Sequence, residues 1–497
     1  MKTHPMLRTN LLALACLAAC PAAFAAHVDA RLEAPGAHDA LLVFAKAEPA
    51  LTPLAADADY KLRRRELVES LRAHSDATQR DVRAWLDAHG IAYRSYWISN
   101  VIEARLPATA IAALGARSDV LRIEPNVKVA MPLPRAETVR TPEAISWGVT
   151  KIDAPEVWAA GLTGQGVVIA GEDTGYQWDH PALQPHYRGW DGATADHNYN
   201  WHDSIHDAGG GNPCGSDSPE PCDDAGHGTH TAGTFAGDDG ATHQTGVAPG
   251  AKWIGCRNMD EGTGTPARYI ECMQWMLAPT DLNGENPNPD LAPDVVSNSW
   301  GCPPSEGCTV GDELEEAVSN VVAGGILFVA SAANDGPACE TITTPPATYD
   351  ASFVVGATDS GDHIAGFSSR GPVTGSTLIR PDIAAPGVSI VSSYPPNTYT
   401  SLSGTSMAAP HISGTVALML SVAPIFKGNP AGIAAILRES GVQDGITDPS
   451  NAGCGGLTMA DWPNYQAGYG RIDAYWAALY AHAYRDGFFE DGFDGLR

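Results

Sequence analysis

The stretch Val-Val-Ile-Ala-Gly-Glu-Asp-Thr-Gly, residues 167–175, decides the fold of this 497-residue chain. The apolar and small residues 167–171 predict a strand buried on both faces, as in parallel sheets that are covered by helices. Asp173 follows at the strand end, where α/β sheets carry their working residues. A carboxylate there can accept a hydrogen bond from an imidazole N–H while it stays ionised. Alone, Asp-Thr-Gly fits an ordinary strand-end turn equally well.

The segments that follow repeat this pattern, because short apolar strands alternate with helices. We therefore predict an α/β fold, with a mainly parallel sheet that carries helices on both faces. The predicted strands are Val167–Gly171, Trp253–Cys256, Val295–Ser297, Ile326–Ala330 and Phe353–Val355, and the predicted helices are Thr265–Leu277 and Glu313–Ala323.

A histidine motif, Gly-His-Gly-Thr-His-Thr-Ala-Gly-Thr, occupies residues 226–234. Glycines on both sides of His227 allow close backbone approach and leave room for a substrate. His227 and His230 could instead suggest a metal site. No cysteine or acidic third ligand has suitable spacing, and no CxxC or HExxH motif occurs. The predicted site therefore contains no metal.

A serine motif, Ser-Gly-Thr-Ser-Met-Ala-Ala-Pro-His, occupies residues 403–411 and precedes the helical run Ile412–Leu420. A serine at a helix start has its oxygen at the positive end of the helix dipole, beside unpaired backbone N–H groups. Most serines in this position are helix caps. The small residues after Ser406 and the apolar helix favour a buried, functional helix instead.

Asp-Thr-Gly, Gly-His-Gly-Thr-His and Gly-Thr-Ser-Met-Ala-Ala-Pro, in this order, resemble the motifs of the subtilisin-like serine peptidases. The order Asp, His, Ser distinguishes that family from chymotrypsin-like enzymes and α/β-hydrolases. The resemblance runs from about Trp147 to Ala478. Within the family, residues 152–155 through 180–183 look most like the bacillopeptidase F branch.

The resemblance implies hydrolysis of protein peptide bonds through an acyl-enzyme. Ser406 would attack the carbonyl carbon, His227 would take its proton, and Asp173 would hold the imidazole tautomer. A serine esterase would normally show Gly-x-Ser-x-Gly, which the residues around Ser406 do not match. A catalytically silent relative is disfavoured because all three residues are present.

The resemblance also implies groups that bind substrate. Asn334 matches the family's oxyanion-hole asparagine, and the N–H of Ser406 would be the second donor. Ser299, Trp300 and Gly301 match the edge strand that pairs with the substrate backbone and walls the first specificity pocket. Trp300 is bulkier than the usual residue there, so the pocket preference stays open.

Two features depart from the family pattern. Glu172 stands where an apolar residue is common, so we expect it to have a partner or a raised pKa. The loop Gly237–Thr245 holds calcium in some relatives, but here Asp238 and Asp239 do not make a full ligand set. No cofactor is expected to be required, and calcium stays open as a structural ion.

The N-terminus reads as an export signal, residues 1–25, with Lys2 and Arg8 before the apolar run Leu11–Ala19 and a small-x-small cleavage site ending at Ala25. We predict a secreted protein. Alternatively, residues 17–20 resemble a lipobox, which would tether the protein to a membrane through Cys20. No later segment is long and apolar enough to be transmembrane.

Residues 27–140 form a predicted α+β unit followed by a Pro-rich linker, Met131–Thr141. Its strands are Ala40–Ala45, Tyr93–Arg105 and Val120–Ile123, and its helices are Tyr60–His74, Ala77–His89 and Ala108–Leu114. This unit is similar to the inhibitor-type propeptide of these enzymes, which implies a self-processing precursor. The catalytic domain would span 141–480, with a short acidic tail at 481–497.

Charge is divided unevenly between residues 1–140 and the rest of the chain. Residues 1–140 carry 18 Lys and Arg against 15 Asp and Glu, whereas the remaining residues carry 12 against 43. A basic propeptide can therefore bind an acidic catalytic domain as its own inhibitor. A nucleic-acid partner is not expected, since phosphate binding needs clustered Lys and Arg.

Eight cysteines lie beyond the signal, an even number that predicts disulfides in an exported chain. Cys214–Cys222 and Cys302–Cys308 are close enough in sequence to close small loops. Cys256, Cys272, Cys339 and Cys454 cannot be paired from sequence.

Overall fold

The computed structural model describes residues 25–47, 59–136, 144–308, 312–450 and 453–485. The predicted signal up to residue 24, with Cys20, lies outside the described residues, as do residues 137–143 of the linker region and the tail from residue 486 onward. Within the described ranges, the search for a helix long and apolar enough to cross a membrane finds none.

The N-terminal unit is a five-stranded sheet packed against helices. Its strand order is β1-β5-β2-β4-β3, with β1 pairing parallel to β5 and the other pairs antiparallel. Its elements are β1 (His27–Val28), β2 (Ala37–Val43), α1 (Tyr60–Ala88), β3 (Tyr93–Tyr96), β4 (Val101–Pro107), α2 (Ala108–Gly115) and β5 (Arg122–Pro125).

Two sequence predictions in this unit are wrong in detail. The helices expected at 60–74 and 77–89 are one helix, α1. The polar break at its middle does not interrupt it, because Ser75 and Gln79 are buried and Gln79 donates to Asn100. The single strand expected over 93–105 is split into β3 and β4 by a turn in which Asn100 has a φ of 51°.

The second unit is built on a seven-stranded sheet in the order β14-β13-β12-β11-β7-β9-β8, and every pair in it is parallel. The predicted mainly parallel α/β sheet is confirmed. Its strands are β7 (Val168–Asp173), β8 (Trp201–Asp203), β9 (Lys252–Arg257), β11 (Val295–Asn298), β12 (Leu327–Ser331), β13 (Phe353–Thr358) and β14 (Ile383–Pro386).

Helices cover both faces of this sheet. One core joins the sheet to α5, α8 and α10 and contains Ile169, Phe235 and Val416, while the other joins it to α6 and α7 and contains Ala170, Met273 and Val318. Successive strand residues face opposite ways, which puts Ile169 and Ala170 in different cores. The helices are α3 (Trp147–Lys151), α4 (Ala154–Ala159), α5 (His227–Ala236), α6 (Pro266–Leu277), α7 (Glu313–Ala323), α8 (Thr405–Val422), α9 (Pro430–Glu439) and α10 (Ala474–Arg485).

Four short strands form two further ribbons. β15 (Ile390–Tyr394) pairs antiparallel with β16 (Thr398–Leu402). β6 (Val129–Ala130), at the end of the N-terminal unit, pairs antiparallel with β10 (Thr263–Gly264) of the second unit.

The N-terminal unit packs on the face of α6 and α7. Leu41, Leu67 and Ile98 share the core that contains Met273 and Val318. Nε of Arg64, a fully buried side chain, donates to the carbonyl O of Gly324 at 2.7 Å. Nδ2 of Asn320 donates to the carbonyl O of Ile98 at 2.7 Å. This contact is therefore both apolar and hydrogen-bonded.

Four disulfides join the eight cysteines. Both predicted loop closures, Cys214–Cys222 and Cys302–Cys308, are present. The two pairs that sequence left open are Cys256–Cys272, which ties β9 to α6, and Cys339–Cys454, whose cysteines are 115 residues apart.

Candidate active site

Asp173 and His227 meet between a strand end and a helix start. Asp173 is the last residue of β7 and His227 the first residue of α5, and both are buried. Nδ1 of His227 donates to Oδ1 of Asp173 at 2.7 Å, and Oδ1 also accepts the N–H of Thr174 at 2.8 Å. This bond fixes the proton on Nδ1, so Nε2 is the nitrogen with a free lone pair.

The electrostatics of His227 depend on that carboxylate. Burial lowers the pKa of His227, but the charge of Asp173, its hydrogen bond and then the charge of Asp223 outweigh this effect, so the pKa is raised above its ordinary value. The neighbouring His230 behaves oppositely. Burial and the His227 charge lower its pKa to about 3, and its Nε2 donates to the carbonyl O of Ile390 at 3.0 Å. His230 is therefore a neutral structural residue.

Ser406 is the second residue of α8, and its carbonyl has an unusual partner. Pro410 lies four residues later inside the helix and has no N–H, so it cannot donate to the carbonyl of Ser406. Oγ of Ser299 donates to that carbonyl instead, at 2.9 Å. The motif thus fixes Ser299 and Ser406 together at the N-terminus of a buried helix.

The hydroxyl of Ser406 does not bind His227 in this structure. It donates to the carbonyl O of Ser299 at 3.2 Å. Nε2 of His227 is buried and has no hydrogen-bond partner among the described residues. Catalytic hydrogen bonds are often long or misaligned before substrate binds, so this arrangement does not exclude proton transfer between the two.

Asn334 is held by the residue before the serine. Its Oδ1 accepts the N–H and the hydroxyl of Thr405 at 2.9 and 3.0 Å. These bonds assign oxygen and nitrogen of the amide and leave Nδ2 as a donor. The preceding residue, Ala333, has a φ of 74°, in the left-handed region that a β-carbon disfavours.

Five of the predicted site residues line one cavity of about 500 Å³, whose lining does not include Asp173 or His227. Ser299, Trp300, Gly301, Asn334 and Ser406 all line it. Trp300, whose effect on the pocket was open, is 2% exposed, and its ring stacks on Tyr269 with centroids 4.1 Å apart.

The end of the N-terminal unit lies in the same cavity. Residues 129–132 and Pro134 line it beside Ser406. Ala130 pairs with Thr263 in the β6–β10 ribbon, and the N–H of Met131 donates to the carbonyl O of Gly262 at 2.9 Å. The cleft next to Ser406 thus holds an extended segment of this same chain.

Glu172 was expected from the sequence to have either a partner or a raised pKa, and the raised pKa is the alternative that applies. The side chain is fully buried, and neither carboxyl oxygen has a hydrogen-bond partner among the described residues. Burial raises the pKa of Glu172 well above its ordinary value. Burial therefore favours the protonated, uncharged form of Glu172.

The carboxylates of the loop 237–245 bind the loop's own backbone. Oδ1 of Asp239 accepts the N–H groups of Ala241, Thr242 and His243, and Oδ1 of Asp238 accepts the N–H of Gly240. These oxygens are used by the loop's own donors. Across the described parts of the chain, a search for three or more His, Cys, Asp or Glu side chains grouped to hold a metal ion returns none.

The fold and these motifs have counterparts in known proteins. Residues 164–455, more than half of the chain, match the model of the subtilase family. The chain belongs to the subtilase family, and the predicted class of subtilisin-like serine peptidase is confirmed.

Three similar proteins support this family assignment. Bacillopeptidase F of Bacillus subtilis strain 168 is 34% identical over 442 residues, covering 85% of this chain but 29% of that protein. Subtilisin DY of Bacillus licheniformis is 35% identical over 284 residues, 57% of this chain and 86% of the relative. M-protease of Shouchella clausii strain KSM-K16 is 32% identical over 302 residues, which cover 61% of this chain and 66% of that protein. The chain thus spans under a third of bacillopeptidase F and most of subtilisin DY.

Proposed function

We propose that this chain is the self-processing precursor of an exported serine endopeptidase, with Ser406 as nucleophile, His227 as general base and Asp173 orienting the imidazole. The observation that carries the proposal is the bond of 2.7 Å between Nδ1 of His227 and Oδ1 of Asp173. Because that bond keeps the proton on Nδ1, the lone pair of Nε2 is available to accept the serine proton.

In the reaction, the Ser406 hydroxyl exchanges its bond to the Ser299 carbonyl for one to Nε2 of His227. The serine oxygen attacks the substrate carbonyl, and the proton passes to Nε2 and then to the leaving amine. Nδ2 of Asn334 and the N–H of Ser406 stabilise the oxyanion. Water then hydrolyses the acyl-enzyme by the same proton transfers in reverse order. Each role is filled by a side chain or a backbone group, so we propose that no cofactor is required.

Ser299, Trp300 and Gly301 hold the substrate in this proposal. The segment in the cleft supports it, since an extended chain already lies beside Ser299 and Ser406. The β6–β10 ribbon supplies backbone pairing on the opposite side, at Thr263. Substrate would bind as an added strand, so that backbone hydrogen bonds provide affinity and side-chain pockets provide selectivity.

The N-terminal unit acts as propeptide and intramolecular inhibitor in the same proposal. Three features support this role: its shared core with α6 and α7, the buried bond from Arg64 to the Gly324 carbonyl, and residues 129–134 in the cleft. We propose the domain boundaries 27–140 for the propeptide with its linker and 141–480 for the catalytic domain. We propose that maturation cuts the chain beyond Met131, close to Pro134.

Export is supported by the four disulfides, which form and persist in oxidising compartments. We propose release after the signal, residues 1–25, rather than a lipid tether at Cys20, because only the short pattern at 17–20 suggests the tether.

The proposal is tested with casein as substrate, in the presence and absence of a serine-directed covalent inhibitor. We expect casein cleavage by the processed enzyme, abolished by the inhibitor and by Ser406→Ala. Inhibitor-resistant cleavage would contradict the assignment of the nucleophile. A short-chain ester assayed in parallel shows whether the activity is that of an esterase instead.

A further inference from the structure

The carboxylate of Asp223 accepts hydrogen bonds from both segments that carry the proposed Asp–His pair. Oδ1 accepts from the residue that follows Asp173, and Oδ2 accepts from the first turn of the helix that begins at His227. The donors are Oγ1 of Thr174 (2.8 Å), the N–H groups of Ala225 and Gly226 (3.0 and 2.8 Å), and the N–H and Oγ1 of Thr229 (2.9 and 2.6 Å).

Helix α5 has no ordinary N-cap. Gly226 stands at that position with a φ of 83° and has no side chain to accept the first-turn N–H groups. The N–H of Thr229 is satisfied by Asp223, and the N–H of Gly228 donates to Oγ1 of Thr174 at 3.1 Å. A carboxylate at this end of a helix also interacts favourably with the helix dipole. The cap of α5 therefore comes from residues outside the helix.

Together with the Asp173–His227 bond, these hydrogen bonds form a closed ring of contacts that joins the end of β7, Asp223 and the first turn of α5. Asp173 holds the His227 ring from one side, while its neighbour Thr174 and Asp223 hold the backbone of the helix that carries the ring. The segment before Asp223 is itself fixed, because the carbonyl O of Cys222 accepts the N–H of Tyr176 at 3.2 Å and Cys222 is in a disulfide. Neither end of the Asp173–His227 bond can shift without breaking this ring.

We infer that Asp223 is a positioning residue: by fastening α5 to the end of β7, it holds His227 against Asp173. This inference rests on the proposed function, because it assigns a role to Asp223 only if His227 is the general base. The charge of Asp223 also contributes to the raised pKa of His227, after burial, which lowers it, and after Asp173. Loss of the charge should therefore move the pH profile as well as the rate.

The test compares Asp223→Asn with the wild-type enzyme, matured where necessary by a tagged wild-type enzyme that is then removed. An amide preserves shape but cannot accept hydrogen bonds on both sides. Active sites are counted with an irreversible serine reagent, so that loss of folded protein does not count as loss of rate. We expect kcat to fall about 10–100-fold, the effect of a small misplacement of a catalytic group. KM should change little, and the inflection of kcat/KM should move to lower pH.

Asp239→Asn is the matched control. Asp239 accepts three backbone N–H groups in the loop just beyond the C-terminal end of α5, so its substitution removes a similar set of carboxylate bonds without touching the hydrogen bonds around His227. We expect its kcat and pH inflection to match the wild type. In a double variant with Thr174→Val, Asp223→Asn should cost less than it does alone, because both residues act through one set of bonds.

The outcomes distinguish a failure of the positioning role of Asp223 from a failure of the proposed function. If the wild type cleaves casein, Ser406→Ala does not, and Asp223→Asn keeps both kcat per active site and the pH inflection, then the positioning role is wrong while the proposed function stands. If Ser406→Ala remains active, the proposed function itself fails.

Discussion

Ser299 and Ser406 bind each other twice. Oγ of Ser299 donates to the carbonyl O of Ser406 at 2.9 Å, and Oγ of Ser406 donates to the carbonyl O of Ser299 at 3.2 Å. The first bond exists because Pro410 cannot provide the helical N–H. One residue of the substrate-binding edge and the proposed nucleophile are thereby held at a fixed separation.

Ser299→Ala should leave the buried Ser406 carbonyl without a donor and destabilise the protein by roughly 1–3 kcal/mol. Urea unfolding in a Ser406→Ala background, which prevents self-digestion, measures the change. Pro410→Ala restores a helical N–H for that carbonyl. The double variant should therefore be less destabilised than Ser299→Ala alone, and an equally destabilised double variant would show that the two bonds are unrelated.

Asn334→Ala should lower kcat by about 10²–10³ while the protein folds normally, since an oxyanion donor is lost. Asn334→Asp is the sharper variant. It keeps the acceptor for Thr405 but replaces the Nδ2 donor with a negative charge, so it should be at least as impaired. An unchanged kcat in either variant would make Asn334 a structural residue.

The pH dependence of kcat/KM should follow His227. Only neutral imidazole accepts the serine proton, so activity rises as pH increases through the His227 pKa. Because this pKa is raised above its ordinary value of 6.5, the inflection should lie above pH 6.5. Asp173→Asn should shift the inflection down and reduce kcat by about 10⁴. A wild-type maximum below pH 5 would contradict the assignment of His227 as general base.

A tyrosine lies between two carboxyl groups where the N-terminal unit meets the second unit. The phenol O of Tyr96 lies 3.0 Å from Oε2 of Glu103 in its own unit and 2.8 Å from Oε2 of Glu271 on α6. A phenol has one hydrogen, so both contacts are hydrogen bonds only if one carboxyl is protonated. Burial raises the pKa of Glu271, but hydrogen bonds from His202 and His206 outweigh it and lower that pKa. Burial and then the Glu271 charge raise the pKa of Glu103, so Glu103 is the carboxyl of this pair that is favoured to carry the proton.

Inhibition by the propeptide should therefore weaken as pH rises. The pKa of Glu103 is raised in the complex, so affinity is greatest at low pH and is lost as pH increases through that raised pKa. Arg94, 4.0 Å from Glu103, and Asp217, which binds His206, are further charged groups at this cluster, and Asp39, Arg105, Lys128, Asp207 and Arg268 line the same pocket as Glu103 and His206.

The measurement is a titration of the separately expressed segment 27–134 against mature enzyme at several pH values. Glu103→Gln replaces the protonated carboxyl with a permanent neutral donor and should flatten the pH dependence. A variant with the wild-type slope would place the proton elsewhere.

Much of the site could be predicted from sequence because each motif lies on one local element. Residues 167–175 form a strand end and residues 403–411 form a helix start, as predicted, while the roles given to Asp173 and Ser406 come from the resemblance of the three ordered motifs to a known family. Asp223 could not be identified in this way. Its role depends on Thr174, 49 residues away in sequence, and on Thr229 across a helix start.

The difference between local and long-range contacts also explains which features of the fold were predicted wrongly or left open. The long-range pair Cys339–Cys454 and the burial of Arg64 against another unit depend on segments that meet only in the folded chain. The polar residues in the middle of α1 predicted a break between two helices. The hydrogen bond that Gln79 donates to Asn100 instead stabilises one continuous helix.

The most direct test of the central claim is the purification of the Ser406→Ala precursor after export. We expect a protein that retains residues 27–140, stays uncleaved on incubation and does not digest casein, whereas the wild type is processed and active. N-terminal sequencing and mass spectrometry determine the two products, and wild-type enzyme added to the variant should cut it close to Pro134. A purified Ser406→Ala protein that matures by itself or digests casein would contradict the claim that Ser406 is the nucleophile.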